Sequence, residues 1–171
     1  MDYQSFIREI PDFPKPGILF YDITTLLKDP HGYRAVIDDL TARYRNEKIN
    51  KVVGIESRGF IIGGPLAYNL GAGFVPVRKA GKLPADVFEV KYNLEYGASS
   101  LAIHRDAVTM EERVLVVDDL LATGGTAAAT VDLLRKLGAE IVGCAFMIEL
   151  LFLQGRQKIE DCEVHSLMTY D

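Results

Sequence analysis

The chain reads as alternating blocks of apolar and mixed residues. Short runs of consecutive apolar residues recur in "KVVGIE", "FVPVRK", "RVLVVDDL" and "EIVGCAFMIEL". Runs of this kind, bounded by turn residues, predict strands buried on both faces. Between them lie segments with helical spacing. In "DPHGYRAVIDDLTARYRNEK", Tyr33, Val36, Ile37, Leu40 and Tyr44 fall on one helical face. "SRGFIIGGPLAYNLG" predicts a helix stopped by Gly71, and "TGGTAAATVDLLRKLG" predicts one stopped by Gly138. "ILFYDIT" and "EVHSLMTYD" predict two more extended segments, and "VFEVKYNLEYG" with "SSLAIHRDAV" predicts a hairpin turning near Gly97. At the start, "DYQSFIREI" predicts a short helix ended by the proline-rich "PDFPKPG". Strands alternating with helices predict an α/β fold, its central sheet mainly parallel and flanked by helices.

Such sheets hold ligands at the carboxyl ends of their strands, near a switch in strand order. Three marked turns fall at strand ends here: after Glu56, after Lys79 and after Asp119. The third is the most informative. In "VLVVDDLLATGGT", residues 114–126, an apolar run meets two adjacent carboxylates and then a Gly-rich turn. A Gly-Gly turn that opens a helix presents backbone N–H groups and a partial positive charge, so it suits a phosphate. Thr123 and Thr126 add hydroxyl donors. No Lys follows the glycines, as a nucleotide-triphosphate loop requires, and there is no G-x-G-x-x-G. Asp118 and Asp119 serve something other than the phosphate. Paired carboxylates accept hydrogen bonds from adjacent hydroxyls or from a hydrated cation. A ribose 5-phosphate would meet both sets of groups at once.

Charge and composition narrow the choice. The 171 residues fit one domain with a sizeable core. A net charge of −5 argues against nucleic acid as the main partner. Within that acidic chain Arg78, Lys79 and Lys82 form a local basic cluster, "RKAGKLP". The two cysteines, Cys144 and Cys162, lack metal-site spacing and read as free thiols of a reducing compartment. "MDYQSFIREIPDFPKPG" lacks the apolar core of a signal peptide. "GCAFMIELLFL" is too short to span a bilayer and carries Glu149, so the expected location is cytoplasmic. His31, His104 and His165 fall in no motif and read as structural.

"VLVVDDLLATGGT" resembles the phosphoribosyl diphosphate signature of the type I phosphoribosyltransferases. The similarity continues through "FPKPGILFYDITTLLKDP", "GIESRGFIIGGPLA", "VRKAGKLPA", "YNLEYG" and "IELLFLQGR", and is narrowest for the family's adenine-using members. It implies a type I phosphoribosyltransferase fold over residues 1–171, with a central, mainly parallel sheet and a small hood. The hood would come partly from the N-terminal segment and partly from the C-terminal part, with a mobile loop at about residues 78–97. It implies transfer of the 5-phosphoribosyl group from 5-phospho-α-D-ribose 1-diphosphate to adenine, giving AMP and diphosphate. Mg²⁺ would be carried with the phosphoribosyl diphosphate, touching Asp118 and Asp119 at most through water.

The resemblance also implies roles. Ala122, Thr123, Gly124, Gly125 and Thr126 would hold the 5′-phosphate, and Asp118 and Asp119 the ribose hydroxyls. Glu56, Ser57, Arg58, Arg78, Lys79 and Lys82 would serve the diphosphate, with a cis peptide between Glu56 and Ser57. Glu95 would be the catalytic carboxylate beside N7 of the purine, Arg58 would neutralise the leaving group, and Tyr96 would cover the ribose. Leu19, Phe20, Tyr21 and Leu150 would form the adenine pocket, Leu19 and Tyr21 through their backbone. The family often has a basic residue where this chain has Tyr21, and backbone recognition does not need one. Family members are commonly dimers, which implies a homodimer here, and in such dimers a loop cation can serve the neighbouring subunit. Two alternatives stay open: transfer to another base, and a protein that only senses phosphoribosyl diphosphate. The second usually carries an added nucleic-acid-binding region, for which this chain has no basic segment.

Overall fold

A computed structural model describes the chain except residues 94–97. Two compact units make it up, Met1–Asp39 and Leu40–Asp171.

The first unit holds a two-stranded antiparallel sheet, β1 (Arg8–Pro11) and β2 (Leu19–Asp22), then the single turn α1 (Thr24–Leu27) and the first part of α2 (Pro30–Tyr44). The predicted N-terminal helix is not formed. Only Gln4–Phe6 make a 3₁₀ turn, and Arg8 onward pairs with β2. Strand pairing outweighs local helix preference here: Ile10 faces Phe20, and Arg8 reaches Asp22 at 2.7 Å. The connection closes tightly because the Asp12 carboxylate accepts the Gly17 N–H at 2.7 Å. Helix α2 carries the predicted apolar stripe, with Val36, Ile37, Leu40 and Tyr44 buried and Tyr33 half-buried.

The second unit is built on a seven-stranded sheet. Its strands are β3 (Lys51–Ile55), β4 (Gly73–Lys79), β5 (Val87–Asn93), β6 (Ala98–His104), β7 (Arg113–Leu121), β8 (Glu140–Leu150) and β9 (Val164–Tyr170). Their order across the sheet is β5-β6-β4-β3-β7-β8-β9. The five strands from β4 to β9 run parallel, while β6 and β5 are antiparallel additions at one edge. Helices α3 (Gly59–Leu70) and α4 (Gly125–Lys136) are the crossovers that follow β3 and β7. The chain moves from β3 outward to β4, then returns to place β7 on the other side of β3. The order therefore reverses between β3 and β7, and a crevice opens at their carboxyl ends.

The predicted buried runs are the core. Val52, Val53 and Ile55 of β3, Val114 to Val117 of β7 and Cys144 to Ile148 of β8 are nearly inaccessible. Leu133 and Leu134 of α4 pack into the same apolar cluster. Burial of such strands from both sides supplies most of the unit's stability, at about 1.5–3 kcal/mol per fully buried large aliphatic side chain. Both cysteines are thiols; Cys144 is buried, Cys162 half-buried, and their sulfurs lie 3.5 Å apart.

Candidate active site

A cavity of about 340 Å³ occupies the crevice at the strand-order reversal. The loop after β3, the end of β7, the turn into α4 and parts of β5, β6 and β8 line it.

Strand β7 delivers the two carboxylates. Asp118 lies across from Phe146 of β8, and Asp119 is 5% exposed. The two point to different partners. The Asp118 carboxylate accepts the Asp119 backbone N–H at 2.9 Å, whereas the Asp119 carboxylate meets Arg58 Nε at 2.6 Å. Burial, and then the neighbouring Asp119 charge, push the Asp118 pKa well above the ordinary carboxylate range. The site thus keeps an uncomfortable carboxyl group poised where positive charge would relieve it.

The turn after β7 is shaped by Gly124. Its φ of 77° is left-handed, which a side chain disfavours. A Cβ there would also stand 2.1 Å from the Gly155 carbonyl oxygen. Helix α4 begins at Gly125, so its first unsatisfied N–H groups open beside Ala122 to Thr126, all of which line the cavity. The Thr126 hydroxyl donates to the Tyr92 hydroxyl at 3.3 Å.

The loop after β3 forms another part of the cavity wall. The Glu56–Ser57 peptide is cis, and Glu56, Ser57 and Arg58 all line the cavity. Helix α3 starts at Gly59 directly against β7: a Cβ at Gly59 would fall 2.7 Å from the Val117 carbonyl oxygen and 3.0 Å from Asp118 Oδ1. That close approach brings Arg58 onto Asp119.

Glu56 organises the cations. Its carboxylate accepts Lys82 Nζ at 2.7 Å, the Lys79 backbone N–H at 3.0 Å and Arg78 at 3.3 Å. The Lys82 hydrogen bond, with the Lys79 amide and Arg78, pulls the Glu56 pKa down to about 2. Arg78 also donates to the Lys82 carbonyl at 3.0 Å. Of the three basic residues, Lys79 lines the cavity, while Arg78 and Lys82 are gathered beside it on Glu56. Much of the expected loop 78–97 is therefore regular structure, with β5 paired to β6 from Val87 and His104 onward.

Among the candidates for the base, Leu19, Phe20 and Tyr21 lie on β2 of the first unit, where Phe20 packs edge-to-face on Phe13 at 5.1 Å. Leu150 ends β8 in the second unit and is buried. Glu95 and Tyr96 fall outside the described residues. Sequence reasoning missed Leu101 and Phe146, which line the cavity without belonging to any motif, and gave no role to Tyr92, which opens the "YNLEYG" motif and lines the cavity too. Phe146 becomes visible only once β8 is set in register with β7, opposite Asp118.

A carboxylate pair, a helix-opening glycine turn and a cation-bearing loop converge on one cavity at a parallel-sheet switch point. Residues 22–166 match the family model described as the phosphoribosyl transferase domain, and the chain belongs to that family. Within it, the chain is 64% identical over 170 residues to adenine phosphoribosyltransferase of Acaryochloris marina, covering 99% of this chain and 100% of that one. The structure superposes on adenine phosphoribosyltransferase of Thermoanaerobacter pseudethanolicus with a TM-score of 0.95 at 48% identity, covering 99% and 98% of the two chains. It also superposes on the Saccharomyces cerevisiae enzyme, solved with D-2,5-dideoxy-2,5-imino-altritol 1,6-bisphosphate and adenine. There the TM-score is 0.94 at 40% identity, covering 98% and 97%. The branch to which the chain belongs is the adenine phosphoribosyltransferases.

Proposed function

We propose that the protein transfers the 5-phosphoribosyl group of phosphoribosyl diphosphate to adenine, making AMP and diphosphate for purine salvage. The observation that carries this reading is the cavity. Asp118, Asp119, the turn at residues 122–126 and the loop at residues 56–58 all open onto it.

In this reading the 5′-phosphate sits on the amides of residues 122–126 and on Thr123 and Thr126. Asp118 and Asp119 accept the ribose hydroxyls. Their charge favours the cation-like ribose that forms as the C1–O bond to diphosphate breaks, and stabilisation greater in the transition state than in the ground state raises the rate. Arg58, Lys79 and the Glu56-held Arg78 and Lys82 neutralise the departing diphosphate. Glu56 itself is acceptor-only when ionised, so it acts by holding cations rather than by touching an anion. Glu95 donates or shares a proton at N7 of the purine. Closure of the segment near 78–97, with Tyr96 over the ribose, excludes the water that would capture the activated sugar. Leu19 and Tyr21 offer a backbone acceptor and donor to the amino group and N1 of adenine, with Phe20 and Leu150 against its faces. A 6-oxo purine presents the reverse pattern and leaves buried groups unpaired.

The donor set fits a magnesium ion that arrives with its substrate. Among the described residues no cluster of three or more His, Cys, Asp or Glu side chains could hold a metal by itself. Two carboxylates, acting through water, suit an ion that takes its other oxygens from phosphates. Bound there, magnesium offsets diphosphate charge. Residues 1–171 serve as a single phosphoribosyltransferase domain, its hood drawn partly from the N-terminal segment and partly from the C-terminal part, and two copies pair as a homodimer. The expected compartment is the cytoplasm, where two cysteines persist as thiols. Among the described residues, no helix is long and apolar enough to cross a membrane.

The test is AMP formation from adenine, phosphoribosyl diphosphate and Mg²⁺, run with the wild type and with Glu95→Gln. The wild type should release AMP and diphosphate in equal amounts. The variant should lose about a hundredfold or more of turnover, with phosphoribosyl diphosphate affinity nearly intact. No AMP from the wild type overturns the reading, and unchanged turnover in the variant removes Glu95 from the mechanism.

A further inference from the structure

An ion pair with a buried carboxylate ties the segment after β8 to the end of that strand, and the transfer chemistry does not call on it. Glu149 is 1% exposed near the end of β8. Arg156 grips it with two hydrogen bonds, Nε to Oε1 at 2.7 Å and Nη2 to Oε2 at 2.5 Å. Ser166 of β9 donates to the same carboxylate at 2.9 Å. A buried carboxylate costs stability unless its oxygens are satisfied, and here three donors satisfy it. Much of the Arg156 side chain remains accessible, so its planar fork, not burial, sets the geometry.

The residue just before Arg156 is Gly155, and it is buried against the phosphate turn. A Cβ at Gly155 would lie 2.1 Å from the Ala122 carbonyl oxygen and 2.9 Å from the Gly124 amide nitrogen. Reciprocally, a Cβ at Gly124 would lie 2.1 Å from the Gly155 carbonyl oxygen. Two backbones therefore touch with no side chain between them, at the one residue of the turn that takes a left-handed φ. Gln154, on the other side of Gly155, is also left-handed, with φ 53° and ψ 32°. The chain bends there, lays Gly155 on the turn, and is pinned one residue later by Arg156.

We infer that Arg156, held by the Glu149 carboxylate that Ser166 also anchors, is a positioning residue for the 5′-phosphate, clamping the Gly155 backbone onto residues 122–124 so that their amides stay aimed at the anion. This rests on the reading of residues 122–126 as the phosphate site. A clamp of this kind acts on the affinity for the phosphate end of the sugar, because amides that must be re-aimed on binding bind less tightly. It leaves the diphosphate loop at residues 56–58 alone.

The experiment compares wild type, Arg156→Lys, Arg156→Ala and Gly155→Ala. Titration with ribose 5-phosphate and, separately, with inorganic diphosphate gives the affinities; steady-state assays give kcat and the KM for phosphoribosyl diphosphate. Arg156→Ala should weaken ribose 5-phosphate binding and raise that KM by about tenfold or more, the usual scale of a lost charge-assisted contact. Diphosphate affinity should hold within about twofold. Arg156→Lys keeps the charge without the fork and should recover part of the loss. Gly155→Ala, which pushes directly on the Ala122 carbonyl, should reproduce the Arg156→Ala pattern, so the inference is still tested if Arg156→Ala does not fold. Equal ribose 5-phosphate affinity in wild type and the folded variants, or parallel loss of both ligands, overturns the clamp. A wild type that does not bind ribose 5-phosphate overturns instead the phosphate-site reading beneath it.

Discussion

Asp118 holds a position that costs the folded protein stability. Its half-buried carboxyl group lies beside Asp119, and desolvation and that neighbouring charge together raise its pKa. The folded chain then keeps a proton that the unfolded chain releases. With more protons bound in the folded state, stability falls as pH rises from the usual aspartate range through the raised folded pKa. Asp118→Asn removes that penalty. The variant should melt higher than wild type at pH 8, by roughly 2–4 °C for each kcal/mol relieved, and the gap should close as the pH falls to about 3, below the ordinary aspartate pKa, where the group is largely protonated in both states. Turnover should drop in the same variant. A melting point no higher than wild type at pH 8 would show that the pair is not strained. The motif "VVDD" told of two carboxylates from sequence; that one leans on Arg58 and the other on its neighbour's amide required the fold.

At the scale of elements, the loops after β3 and β4 are tied through one carboxylate. Glu56 holds Lys82, Arg78 and the Lys79 amide, which drives its pKa down to about 2. A depressed carboxylate contributes stability above its unfolded pKa and loses it as pH falls through the folded value. Melting curves recorded between about pH 4.5 and pH 2 should therefore be shallower in pH for Glu56→Gln than for wild type. The same variant should raise the KM for phosphoribosyl diphosphate about tenfold, through loss of charge-assisted hydrogen bonds that hold the cations in place. An unchanged KM would mean that the cations find their places unaided. The buried parallel strands and both long crossover helices were legible as apolar runs and capped periodic segments. The N-terminal strand was not, because "DYQSFIREI" has helical spacing and its pairing with Leu19–Asp22 is set by a partner the local pattern cannot see. Lining residues on neighbouring strands, such as Phe146, were hidden for the same reason: register is not written in any one segment.

In the second unit, a reversal of strand order between β3 and β7 brings two distant turns, residues 56–58 and 122–126, to one cavity. The turns are some sixty residues apart in the chain, yet the parallel register sets Gly54 opposite Val117, so Glu56 and Asp119 emerge side by side. The sequence motifs named the sugar phosphate well and the base less directly, since backbone recognition by Leu19 and Tyr21 leaves no chemical mark on side chains. The choice of base therefore rests on those two backbone groups. The measurement that tests it most directly is a single reaction with equal adenine, hypoxanthine and guanine, limiting phosphoribosyl diphosphate and Mg²⁺, with the nucleotide products separated and counted. The account predicts AMP as nearly the whole product. IMP or GMP as the main product would contradict it.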